Sequence, residues 1–127
     1  ARRAMLLPVS APFHCKLMQP AADVMAEALA KVTVNRPVVP VVANVTAGPV
    51  SDPDTIRKLL VEQVTGTVRW RESVAYMAAH GVTHFLEIGS GKVLTGLVKR
   101  IATGAVGVTV GGPGDIAAAR DAIAATR

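Results

Sequence analysis

Short apolar runs and stretches of helical period take turns along this sequence, and that alternation constrains the fold more than any other feature. Ala4 to Val9 reads as a short buried strand. From Lys16 to Val32, Leu17, Ala21, Met25, Ala28, Leu29 and Val32 recur at steps of three and four, the spacing of one helix face. Pro37 to Val45 is apolar almost throughout, as in a strand covered on both faces, with Pro40 delaying its start or placing it at an edge. A turn follows at Gly48, Pro49 and Ser51. Asp52-Pro53 then carries the signature of a helix start, a capping carboxylate before a first-turn proline. Ile56, Leu59, Leu60 and Val64 give that helix its apolar face, and Gly66 interrupts it. A further helix is expected from Arg71 to His80, with Trp70, Val74, Met77 and Ala78 inward. A strand from His84 to Ile88, a helix from Val93 to Ile101, a strand from Ala105 to Val110 and a helix from Asp115 to Ala125 complete the order. Strands alternating with helices imply parallel pairing in an α/β layered fold.

The 127 residues are enough for one domain, and half of them are hydrophobic. Only one Trp, one Tyr and two Phe are present, so the core is aliphatic. No apolar run approaches the roughly 18 residues of a membrane span, which argues against a membrane partner. A single cysteine excludes an internal disulfide framework and is too few for a zinc cluster, so a soluble cytoplasmic protein without a bound metal is expected. Arg2-Arg3 before an apolar start has the outline of a signal peptide, but the run stops at Pro8 and no A-x-A site follows. The chain starts at Ala1, and its beginning reads as a cut through an ordered region. Fourteen Lys and Arg against nine Asp and Glu give a net charge of +5. These cations are scattered and not interleaved with aromatics, so nucleic acid is not the expected partner.

The strand, the Gly89-Ser90-Gly91-Lys92 turn and the helix that follows resemble a phosphate cradle only in outline. A P-loop needs Ser or Thr after its Lys, and Val93 stands there; a dinucleotide fingerprint needs a third glycine, and Leu94 stands there. The segment therefore reads as a tight turn, with helix amides left to hold an anion weakly. His14 sits where a strand passes into a helix, and strand ends in α/β sheets are where ligands bind. Cys15 adjoins it, but sequence neighbours point apart, and Cys15 reads as a small filler residue. His80 and His84 read as exposed, without a third ligand for a metal. No serine lies in a G-x-S-x-G elbow.

The stretch LPVSAPFHCKLMQPA, from Leu7 to Ala21, resembles the catalytic-histidine segment of malonyl-CoA:acyl carrier protein transacylases and of the acyltransferase domains of polyketide synthases. VVPVVANV, the LVEQ stretch ending in Val68-Arg69-Trp70, and SVAYMAAHGVTHFLEIGSGKVLTGLVKRI resemble the same family in the same order. Ser90 departs from it, standing where the family usually has Pro.

The resemblance implies the C-terminal part of an α/β-hydrolase-like large subdomain with a mainly parallel sheet, residues 14–127. Residues 1–13 would end a small ferredoxin-like subdomain. It implies malonyl transfer from malonyl-CoA to the phosphopantetheine thiol of acyl carrier protein in fatty acid biosynthesis, with no permanently bound cofactor. The nucleophilic Ser and the Arg that grips the malonyl carboxylate would lie in an upstream half of the same enzyme, and this piece alone would be inactive. His14 would be the general base. Gln63 would offer its backbone carbonyl to orient His14. Phe13 would face the substrate, and Arg2 and Arg3 would lie near coenzyme A phosphates. Two alternatives stay open: an acyltransferase domain of a polyketide synthase, and a non-catalytic module that binds an acidic partner or phosphate through Arg2, Arg3, Lys99 and Arg100.

Overall fold

The computed structural model describes residues 9–125. The expected first strand, all but Val9, lies outside them, as do Arg2 and Arg3. The described chain forms two compact units, one reaching Arg69 and the other beginning at Trp70.

In the first unit, a 3₁₀ turn, Lys16–Met18, leads into helix α1, Gln19–Ala30. Pro20 falls in the first turn of α1, where its missing N–H costs nothing. Strand β1, Val41–Ala43, and strand β2, Gly48–Val50, pair antiparallel, Val41 opposite Val50 and Ala43 opposite Gly48. Helix α2, Pro53–Thr65, closes the unit and packs on α1 and β1. Asp52 caps α2, accepting from Thr55 N at 2.8 Å and Thr55 Oγ1 at 2.6 Å. These bonds hold the Asp52 carboxyl below its ordinary range, the hydroxyl bond contributing most.

Three expectations change here. The alternation of strand and helix breaks at β2, which forms where only a turn was expected. Four residues separate β1 from β2, too few for a parallel crossover, so the pair is antiparallel. The Val-rich run is not a strand covered on both faces: Val38 and Val39 lie outside β1 and are 102% and 70% exposed. Pro37 and Pro40 remove ladder donors on both sides of them, and the strand begins only after Pro40. Finally, the buried residue of α1 is Ala22, while Leu17, Met25 and Val32 are exposed.

The second unit is a β–α–β arrangement with two further helices. Helix α3, Trp70–Ala79, precedes strand β3, His84–Ile88; helix α4, Val93–Ile101, then crosses to strand β4, Val106–Val110. The two strands pair in parallel, in register from His84–Val106 to Ile88–Val110. A 3₁₀ turn, Pro113–Asp115, opens helix α5, Ile116–Ala124. The core lies between α3 and α4, where Val74, Val98 and Ala102 are buried and Trp70, Met77, Phe85 and Ile101 pack around them. Gly107 lets α4 approach β4, since a Cβ there would stand 2.7 Å from Thr95 Cγ2. The chain is thus α/β, with the expected parallel pairing realised in this unit. No described helix is long and apolar enough to cross a membrane.

Candidate active site

His14 is presented by a tight turn. Phe13 N donates to Ala11 O at 2.9 Å, and Cys15 Sγ donates to Pro12 O at 3.1 Å. His14 itself has φ 57°, in the left-handed region that histidine tolerates better than branched residues do. Such strain gathers at functional sites, where the surrounding structure holds it in place. Cys15 is held by its main-chain bond and is half-buried, consistent with a packing residue.

The turn brings His14 Nδ1 to 2.9 Å from the main-chain oxygen of Gln63, 49 residues on. The reason lies at the end of α2. The last carbonyls of a helix have no donor four residues ahead. Gly66 N still bonds Glu62 O at 3.0 Å, but Gly66 turns extended, with ψ 155°, and the chain leaves the helical path. The Gln63 oxygen is thereby free for an outside donor. A carbonyl only accepts, so Nδ1 carries the proton and Nε2 is left with its lone pair. The partial negative charge of the helix end also favours a donor there.

The segment that leaves α2 is fixed in turn. Arg69 N donates to Asn44 Oδ1 at 3.0 Å, and the Arg69 guanidinium donates to Thr46 O at 3.1 Å and Val45 O at 3.4 Å. Asn44 and Gln63 are the two polar residues lining a cleft of about 160 Å³, otherwise walled by aliphatic side chains of β1, β2 and α2. Phe13, next to His14, is 57% exposed.

At the glycine turn after β3, two amides of the following helix are already bonded within the chain. Glu87 accepts from Thr95 N at 2.7 Å, Thr95 Oγ1 at 2.7 Å and Leu94 N at 3.2 Å. The chain's own carboxylate thus takes the amides that were expected to hold an anion, and the bonds from Thr95 hold Glu87 below its ordinary range. His80 Nδ1 faces Tyr76 O at 2.8 Å with its ring stacked on Tyr76, and His84 Nδ1 bonds Thr83 Oγ1 at 2.9 Å. Among the described residues, no group of three His, Cys, Asp or Glu is placed to hold a metal. Lys99 and Arg100 lie exposed in the last turn of α4, where cations suit the helix dipole.

No protein-family profile matches the chain. Malonyl CoA-acyl carrier protein transacylase of Escherichia coli (strain K12) is 52% identical over 119 residues, 94% of this chain and 38% of that protein. The crystal structure of acyl-carrier-protein-S-malonyltransferase from Bartonella henselae matches with a TM-score of 0.86 and 54% identity, covering 97% of this chain and 39% of that one. Sequence and fold make this chain a relative of the malonyl-CoA:acyl carrier protein transacylases. A malonyl-transacylase solved with a type II polyketide-synthase acyl carrier protein is also similar, with 40% identity and a TM-score of 0.80 over 91% of this chain and 38% of that one. The chain therefore spans about two-fifths of the length of these transacylases.

Sequence reasoning passed over Glu87 and Arg57. The signal for Glu87 was available: an acidic residue stands next to the end of a strand, and the following helix has Lys92, a poor cap, at its start. Arg57 offered no such signal, because its main-chain partners, Leu29 and Val32, are more than twenty residues away.

Proposed function

We propose that the full-length protein transfers a malonyl group from malonyl-CoA to the phosphopantetheine thiol of an acyl carrier protein, in the cytoplasm and as a step of fatty acid synthesis. The observation that carries this reading is the bond from His14 Nδ1 to the Gln63 carbonyl, which leaves Nε2 able to take a proton. Residues 14–127 would belong to the large α/β subdomain, as its C-terminal part, and residues 1–13 to the end of the small one.

The nucleophile is assigned to a serine outside this chain, since none here has an elbow context. His14 Nε2 takes the proton from that hydroxyl as its oxygen attacks the thioester carbonyl. Collapse expels the coenzyme A thiolate, which leaves with the proton, and a malonyl ester remains. Nε2 then takes the proton of the carrier thiol, whose sulfur attacks the ester. The serine oxygen leaves and recovers the proton. Gln63 keeps the imidazole in one tautomer and orientation through both halves, as the carboxylate of a full triad does elsewhere. Phe13 would crowd a substrate with an added methyl group, worth about 1–3 kcal/mol of discrimination. Arg2 and Arg3 would meet coenzyme A phosphates, for which guanidinium geometry is suited.

The test is malonyl transfer by the full-length protein and its His14→Ala variant. A loss of about 100-fold or more in kcat/KM, with malonyl-CoA still bound, is the expected result. Wild-type rates in that variant would refute the assignment.

A further inference from the structure

The His14–Gln63 bond joins the head of α1 to the tail of α2, and a second set of bonds joins the opposite ends of the same two helices. Arg57, in the first half of α2, donates from Nε to Leu29 O at 3.0 Å and from Nη2 to Val32 O at 3.1 Å. Leu29 O lies in the last turn of α1 and Val32 O just past its end, where a cation is favoured. The remaining arm, Nη1, bonds Asp54 at 2.6 Å. All three arms of one planar group are thus committed, and the side chain is only 30% exposed.

The helices run antiparallel, so this clamp and the catalytic contact sit at the two ends of one pair. Between them the helices pack through small and aliphatic side chains: Ala22 of α1 and Ile56 of α2 are buried, while Val24 and Met25 of α1 face outward. Apolar contact is non-directional, whereas the Arg57 bonds fix two named acceptors of α1 and its exit. A slip of about 1.5 Å, one residue's rise, would carry a hydrogen bond of 2.9 Å beyond its working range. The geometry points to Arg57 as a positioning residue: it fixes α1 against α2 and thereby keeps His14 Nδ1 on the Gln63 carbonyl. Its effect on turnover rests on the proposed function; its effect on the imidazole does not.

The experiment is ¹⁵N spectroscopy of histidine in the full-length protein, with the His14 signal assigned by its loss in His14→Ala, together with steady-state malonyl transfer. In the unsubstituted protein the ring should hold its proton on Nδ1. In Arg57→Gln, a mixture of the two tautomers is expected, with kcat lower by about 10- to 100-fold and KM for malonyl-CoA within about twofold. Arg57→Lys, which keeps the charge but not the fork, should fall between. If Arg57→Gln does not fold, Arg57→Lys alone decides. Asp54→Asn removes the arm that does not touch α1 and should leave the His14 spectrum unchanged. An unaltered His14 tautomer in the Arg57 variants, or the same change in Asp54→Asn, would overturn the inference. A changed tautomer with unchanged turnover would uphold it and sink the catalytic assignment of His14 instead.

Discussion

At the scale of single residues, what matters at Gln63 is its main chain. The oxygen that meets His14 is present whatever the side chain, so Gln63→Ala is expected to retain most malonyl transfer, within a few-fold. Losses equal to those of His14→Ala, measured in the same assay, would show that the amide side chain takes part. Glu87 is the reverse case, since there the side chain itself is the acceptor for the helix amides. Its folded carboxyl titrates below its ordinary range, chiefly through the hydroxyl and amide of Thr95. A depressed carboxyl stabilises the fold above the unfolded pKa, and that contribution fades as pH falls through the folded one. Glu87→Gln should therefore flatten the drop in melting temperature from about pH 5 downward. Asp52, depressed in the same direction, supplies part of the slope that remains. An acid limb identical in the two proteins would contradict this.

At the scale of elements, close approach is the sensitive quantity. Alanine at Gly107 would press on Thr95, the residue whose hydroxyl and amide hold Glu87. The expected cost is about 1–3 kcal/mol. Gly96, in the same helix, has nothing within 4 Å of its missing Cβ. Alanine there should stabilise by about 0.5–1 kcal/mol. Chemical unfolding of the two variants checks both signs. The second unit was the more legible in sequence: β3 and α4 lie where the pattern put them, because Gly and Pro punctuate a clean switch of period. The first unit was less so. Alanine counts as apolar on any face, so periodicity could not choose between the Leu17–Met25 side of α1 and the Ala22 side. A three-residue strand such as β2, with Pro49 at its centre, leaves no alternation to read. At the site, His14 stood out by its place between a strand and a helix, but its role and the Gln63 oxygen came from a resemblance, since the end of a helix is visible in sequence but its distant donor is not.

For the whole molecule, the balance of surface is the telling feature. Val74 and Val98 are fully buried, whereas Leu17, Val38, Val39, Ile88 and Val93 stand more than two-thirds exposed. With so few large side chains buried against so many exposed ones, each unit has apolar surface to spare for association. Expressed as these 127 residues alone, the chain should bind a hydrophobic dye and elute well above its 13.1 kDa mass. A dye-silent monomer would refute that. The acceptor for His14 has a different consequence. No codon encodes the removal of a carbonyl, so the route to losing it runs through changes that bend the chain's path. Inherited damage to this contact should therefore spread thinly over Asn44, Gly66 and Arg69, which shape the exit from α2, while Gln63 itself stays genetically quiet.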